Sequence, residues 1–173
     1  DEAGLEDPGD LREAKGRVRE SVDGASAPRT PVAPAAGAKV TVYGNLSASS
    51  TAPTGAWSTT APSTTSNFAT QVACYDSLGE SHVVNVYFRR ESAAGAWSWY
   101  ALVDGGEITG GTAGTYEQEA SGSITFDTSG RLNTETTVAS SFGWANAATA
   151  TLAIDWGDSL TTDSGTGLKG ITW

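Results

Sequence analysis

The stretch VACYDSLGESHVVNVYFRR, residues 72–90, places two apolar segments on either side of a short polar turn. In the second segment, the even positions from 82 to 88 hold His, Val, Val and Phe. Because successive side chains of a β-strand point to opposite faces, these four residues lie on one face. Asp76, Ser77 and Gly79 lie between the segments. Asp and Ser can hydrogen-bond the nearby backbone, and Gly accepts a positive φ without a Cβ clash. The stretch therefore predicts a β-hairpin.

Further alternating segments follow along the chain. WSWYALV (97–103) predicts a third strand that extends the hairpin into a meander, and ATATLAIDW (148–156) predicts a strand near the end of the chain. SITFDTSGRL (123–132) predicts a second hairpin, in which one strand ends at Phe126 and the residues from Asp127 to Gly130 form the turn. These segments predict an all-β fold, a single antiparallel β-barrel or sandwich-like domain with long loops rich in Gly, Ser and Thr.

The chain divides into two regions of different composition. Residues 1–37 are polar and contain several prolines towards their end, so we interpret them as an extended N-terminal segment or linker. Residues 38–173 contain every predicted strand and form the β domain. Within this domain, residues 50–67 are mostly Ser, Thr, Ala and Pro and predict a long loop, exposed unless Trp57 pins it to the strands.

The composition excludes several classes of function. Twenty acidic residues against ten basic ones give a net charge of −10, which argues against binding to nucleic acid or to an anionic membrane. The single cysteine, Cys74, excludes an intrachain disulfide. No apolar run approaches the roughly 20 residues of a membrane-spanning helix, and the first residues lack the pattern of a secretory signal.

No catalytic, cofactor-binding or metal-binding set is predicted, and we expect the protein not to be an enzyme. His82 is the only histidine, and Asp76 and Ser77 lie too close to it on one turn to form a working Ser-His-Asp set. We expect the His82 imidazole to bond the turn instead. Asp127 lacks the further ligands of a calcium loop and is expected to close a turn by hydrogen bonds to the backbone.

The six tryptophans suggest one alternative function. Trp97, Trp99 and Trp156 occupy alternating strand positions, where packing in a core explains them. Trp57 and Trp144 are predicted to lie in loops, where they are candidates for surface contacts. A secreted carbohydrate-binding β module that uses these two loop tryptophans is therefore the alternative hypothesis.

The central stretch resembles the bacterial flagellar hook protein in its central, surface-exposed domain of the FlaE type. In that family a Tyr-Asp-Ser-x-Gly-x-x-His turn leads into an Asn-Val-Tyr-Phe strand, and further blocks follow in a fixed order. The match spans roughly residues 38–172. The residues of this chain that carry the resemblance in its hairpins and turns are Asn45, Leu46, Tyr75, Asp76, Ser77, Gly79, His82, Tyr87, Phe88, Phe126, Asp127 and Gly130.

The resemblance implies a structural protein of the bacterial flagellum. It implies assembly with other copies of the hook subunit into a curved tube that transmits torque, and contact with the hook cap and the hook-filament junction proteins. It also implies export through the flagellar type III secretion apparatus to the outside of the cell. Residues 1–37 would form the edge of an adjoining hook domain.

The chain departs from the family at both ends. Hook proteins carry long amphipathic terminal helices that build the inner tube, and neither is recognisable here. The chain is therefore expected to be a central piece of a hook subunit, or a relative that does not polymerise by that route. In isolation it is expected to be monomeric.

Overall fold

The computed structural model describes residues 38–136 and 139–173, and within these ranges the chain is almost entirely β, as the sequence predicts. Helical structure in the same ranges comprises one short turn, α1 (Pro62–Thr65), and a 3-10 turn (Gly105–Glu107), neither of which is long or apolar enough to cross a membrane. The strands of these ranges are β1 (Ala38–Thr41), β2 (Gly44–Asn45), β3 (Phe68–Tyr75), β4 (Ser81–Arg90), β5 (Ala96–Asp104), β6 (Tyr116–Phe126), β7 (Leu132–Glu135), β8 (Ala139–Phe142), β9 (Ala150–Asp155) and β10 (Ile171–Thr172). The N-terminal segment predicted for residues 1–37 lies outside the described residues.

Strands β3 to β7 form one five-stranded antiparallel sheet in which each strand pairs with the next along the chain. Cys74 pairs with His82 across the first hairpin, and Phe126 pairs with Leu132 across the second. Both predicted hairpins and the predicted meander are therefore present.

The remaining strands pair in an order that alternation alone does not reveal. Strands β1, β9 and β8 form a three-stranded sheet in which β1 and β9 are parallel, and β2 pairs with β10 in a second parallel contact. The dipeptide Gly44-Asn45 is typical of a turn or bulge, yet it forms β2. A turn residue can adopt an extended conformation when another segment supplies a hydrogen-bond partner, as the carbonyl of Gly170 does for the N–H of Gly44 over 3.4 Å.

The core contains the alternating residues of β4 and β5 together with side chains from β8 and β9. Trp97 and Trp99 are completely buried, as their shared parity predicts. Trp156, which follows β9, meets Phe88 and Trp99 edge-on, with ring centroids 5.2 and 4.9 Å apart. These contacts join the five-stranded sheet to the three-stranded one.

The opposite face of the five-stranded sheet is covered by the loop of residues 50–67. The Trp57 indole stacks on Tyr100 with ring centroids 3.9 Å apart, and its Nε1 donates to Gln118 Oε1 over 2.9 Å. The Arg89 guanidinium donates to three carbonyl oxygens of this loop and its end, those of Pro53, Gly55 and Thr65, at 2.7–3.0 Å. The loop is therefore pinned to the sheet.

Candidate functional site: the two hairpin turns and the exposed hairpin surface

The turn of the first hairpin is closed by the side chain of Asp76, which is only 2% exposed. Its Oδ1 accepts the backbone N–H groups of Leu78 and Glu80 at 2.8 and 2.9 Å, and Gly79 supplies the positive φ of 85° that the turn requires. Burial opposes ionisation of Asp76, but these two hydrogen bonds and one from His82 outweigh it and lower the pKa of its carboxyl. The carboxylate is therefore a structural acceptor.

His82 lies between two carboxylates and against an aromatic ring. Its Nε2 is 3.3 Å from Asp76 Oδ2, its Nδ1 is 2.8 Å from Glu107 Oε2, and its ring stacks on Trp144 with centroids 3.9 Å apart. The expected bond from His82 to its own turn is confirmed. The contacts with Glu107 and Trp144 were not foreseen, because the sequence carries no signal that links these distant residues to the hairpin.

Two possible nucleophiles near His82 are not arranged for catalysis. Ser77 Oγ accepts the backbone N–H of Ala148 over 2.9 Å, so the hydroxyl bonds another loop. Burial, with the nearby charges of Glu107 and Asp76, raises the pKa of the Cys74 thiol to about 11, so the thiol stays protonated at neutral pH. The arrangement connects three segments of chain and offers no activated nucleophile.

Replacing His82 with alanine is expected to lower the free energy of unfolding by about 2 kcal/mol, because the change removes the ring stacked on Trp144 and leaves buried polar groups of Asp76 without their partner. Equilibrium urea unfolding measures the loss. Ser81→Ala, at the exposed neighbouring position, is the control and should change little. Equal unfolding midpoints for the two variants would contradict the role assigned to His82.

The turn of the second hairpin is closed in the same way as the first, by an aspartate side chain. Asp127 Oδ1 accepts the backbone N–H groups of Ser129 and Arg131 at 2.9 Å each, and Gly130 has a positive φ of 77°. Hydrogen bonds from Arg131, first from its backbone, lower the pKa of the Asp127 carboxyl. Within residues 38–136 and 139–173, no group of three His, Cys, Asp or Glu side chains is placed to hold a metal ion.

Five further residues of the resemblance also support the scaffold, whereas Tyr75 is exposed. Phe88 and Phe126 are buried in the core, and Tyr87 is 8% exposed on the opposite face of the sheet. Asn45 Nδ2 donates to Thr172 Oγ1 over 3.1 Å, and Leu46 is 3% exposed beside it. These contacts fasten the first strands of the domain to its last one.

The two candidate contact tryptophans have different outcomes. Trp144 is only 2% exposed, stacked between His82 and Phe142, so the prediction that it makes surface contacts is wrong. An isolated bridge to Ile108 draws its loop against the sheet and buries the indole. Trp57 is half-buried, with one ring face against Tyr100. The pair therefore does not form the exposed aromatic platform that a carbohydrate-binding module requires.

Several exposed apolar side chains lie along the first hairpin: three of them near its turn, and Phe68 at its other end and on the opposite face. Of the seven large hydrophobic residues that are exposed in the described ranges, four lie on β3, β4 or the turn between them. They are Phe68, Tyr75, Leu78 and Val83, at 37%, 62%, 67% and 45% exposed. Strand β3 is also an edge of its sheet in the described part of the chain, and it contains no charged residue. We refer to these four side chains and β3 as the hairpin surface.

The sequence does not predict a buried acidic group that lies near the end of the chain. Glu135, at the end of β7, is 6% exposed, and its Oε2 accepts the backbone N–H of Trp156 over 2.8 Å. The acidic residues Asp155, Asp158 and Asp163 near the last long strand suggest, from the sequence, a patch solvated by water. Asp155 is instead 8% exposed and pairs with Lys39. The fold brings Glu135 to the backbone of Trp156, 21 positions away, which no sequence pattern indicates.

Comparisons with known proteins match the chain to a family model and to several solved chains. The family model of the flagellar basal body protein FlaE D2 domain matches residues 45–170. The chain is also similar to a 32 kDa fragment of the flagellar hook protein FlgE from Caulobacter crescentus, with 17% sequence identity and a TM-score of 0.45. That similarity covers 62% of this chain but only 42% of the fragment. No curated protein matches the chain.

Proposed function

The chain belongs to the family of the flagellar basal body protein FlaE D2 domain, and from this membership we propose that it is a structural outer domain of the flagellar hook. In this role it assembles with other copies of the hook subunit, transmits torque along the tube and allows the tube to bend. The single observation that carries the proposal is the family match, which includes both hairpin turns and β9.

The polar groups that close the two hairpin turns support a mechanical role. Asp76 and Asp127 each use one carboxylate oxygen to bind two backbone N–H groups, and His82 joins its hairpin to two other segments. Such groups hold a turn in one conformation, because a carboxylate that satisfies backbone donors is costly to displace. A domain that carries load needs turns of this kind.

The exposed surface supports contact with other subunits. The hairpin surface presents apolar side chains and an edge strand, while residues 50–67 present mostly small polar ones. Apolar side chains that are spaced along a hairpin among polar residues suit an interface that breaks and re-forms. We propose that other hook subunits contact the hairpin surface, with the hook cap and the junction proteins as further partners of the assembled tube.

The proposed location is the extracellular flagellum, reached through the flagellar type III secretion apparatus. Antibodies raised against residues 38–173 and coupled to gold test this location by electron microscopy of flagella from the bacterium that encodes the chain. Label is expected on the short curved segment between the cell and the filament. Label confined to the filament, or to unassembled protein, would contradict the proposal. A strain deleted for the gene is the control for antibody specificity.

A further inference from the structure

We propose that Glu135 acts as a proton-operated latch: in its protonated form it ties β7 to residues 157–170, and in its ionised form it loosens them. We refer to residues 157–170, which lead from β9 to β10, as the terminal loop. This loop is held to β7 by several backbone bonds. The N–H groups of Leu160 and Thr161 donate to the carbonyls of Leu132 and Asn133 at 3.0 and 2.8 Å.

Glu135 lies at this contact between β7 and the terminal loop. Its backbone N–H donates to the Thr162 hydroxyl of the terminal loop and its carbonyl accepts from it, over 3.2 Å each. The Glu135 side chain thereby faces the carboxylate of Asp163, the next residue of that loop, while its Oε2 accepts the backbone N–H of Trp156 over 2.8 Å. Two carboxyl groups can share a hydrogen bond only when one of them carries a proton. Asp163 Oδ2 already accepts the N–H and the hydroxyl of Ser159, at 3.1 and 2.8 Å, and so acts as the ionised partner. The proton therefore resides on Glu135.

The charges around Glu135 favour this assignment. Asp155 of β9 and Asp163 of the terminal loop are the anions that face it, and Lys39 of β1, which pairs with Asp155, is the nearby cation. Burial comes first among the causes that raise the pKa of Glu135 to about 7, followed by the effects of Asp163 and Asp155 against the opposing bond from Trp156. The hydrogen bonds from Ser159 lower the pKa of the exposed carboxyl of Asp163. Lys39, Asp155 and Asp163 line a surface pocket. The other charged groups of this pocket are Asp158 and Lys169, which attract each other.

The direction of the effect follows from linkage. The pKa of Glu135 rises from its ordinary value of 4.5 to about 7 when the latch is closed, so the closed state binds the proton more tightly than the open one. The contribution of the proton to closure is fully present below the ordinary value and is lost as the pH rises through 7. Ionisation then leaves three carboxylates, those of Glu135, Asp155 and Asp163, facing one lysine.

Hydrogen exchange measured by mass spectrometry tests the latch on the whole chain. Protection factors of the terminal loop, corrected for the intrinsic pH dependence of exchange, are expected to fall about 10-fold between about pH 6 and about pH 8. In Glu135→Gln the amide carbonyl can accept from Trp156 and the amide N–H can donate to Asp163. This variant should therefore keep the same protection at both pH values. Glu80→Gln, at an exposed position on the first turn, is the matched control and should behave as the wild type.

A second measurement does not depend on the folding of a variant. The side-chain carboxyl carbon of Glu135 in the wild-type chain, followed by NMR, is expected to titrate with a midpoint near 7. A midpoint near the ordinary value of 4.5 would overturn the proposal. Unchanged protection of the terminal loop across the same pH range, or a wild-type pH dependence in Glu135→Gln, would overturn it equally.

Discussion

Trp156→Ala is expected to lower the free energy of unfolding by about 3–5 kcal/mol. The side chain is completely buried, and its ring meets Phe88 and Trp99 edge-on at the junction of the two larger sheets. Its indole Nε1 has no hydrogen-bond partner in the described part of the chain, so the loss comes from packing and from the cavity left behind. A loss of this size is a large share of the roughly 5–15 kcal/mol typical of a whole domain.

Trp57→Ala is the matched control for this experiment, because it truncates the same residue type on the opposite face of the five-stranded sheet. Trp57 is half-buried and contacts mainly Tyr100 and Gln118, so its loss should cost less than half as much. Urea unfolding followed by circular dichroism compares the two variants without relying on tryptophan fluorescence. Equal losses for the two variants would show that the junction of the sheets is not the dominant packing contact.

Gly157→Ala is expected to destabilise the domain by about 3 kcal/mol or more, through backbone strain together with steric overlap. Gly157 has a φ of 133°, and an added Cβ would lie 2.0 Å from the carbonyl oxygen of Lys169. Gly157 and Gly170 form an antiparallel bridge between the two ends of the terminal loop. A side chain there would force the loop away from β9.

Gly143→Ala separates this effect from the general cost of replacing glycine. Gly143 has no heavy atom within 4 Å of the position of an added Cβ, and its φ lies outside the left-handed region. The substitution is therefore expected to change the free energy of unfolding by no more than about 0.5 kcal/mol. Thermal unfolding of both variants, monitored by circular dichroism, makes the comparison. Similar melting temperatures would refute the close approach at Gly157.

Much of the five-stranded sheet could be predicted from the sequence. The hairpin signals are local: Asp76 and Gly79 lie within the turn that they form, and so do Asp127 and Gly130. The parity of Trp97 and Trp99 also predicted correctly which face of β5 is buried, since side chains on a strand alternate between its two faces.

The contacts that define the candidate site were harder to predict from the sequence. Trp144 was expected at the surface because it lies between strands, yet the bridge to Ile108 and the stack on His82 bury it. Glu107 bonds His82 from 25 positions along the chain, and Glu135 bonds the N–H of Trp156 from 21. No periodicity or turn signal joins residues at such separations.

By itself, the sequence determined the all-β class, the two hairpins, the buried parity of their strands and the likeness to the flagellar hook family. These depend on backbone propensities, alternation and turn chemistry, which act over a few neighbouring residues. Only the tertiary structure decided that β1 and β2 pair in parallel with β9 and β10, and that Glu135 is buried beside two other carboxyl groups. Pairing between distant strands, and the burial that shifts a pKa, depend on which surfaces pack together once the whole chain has folded.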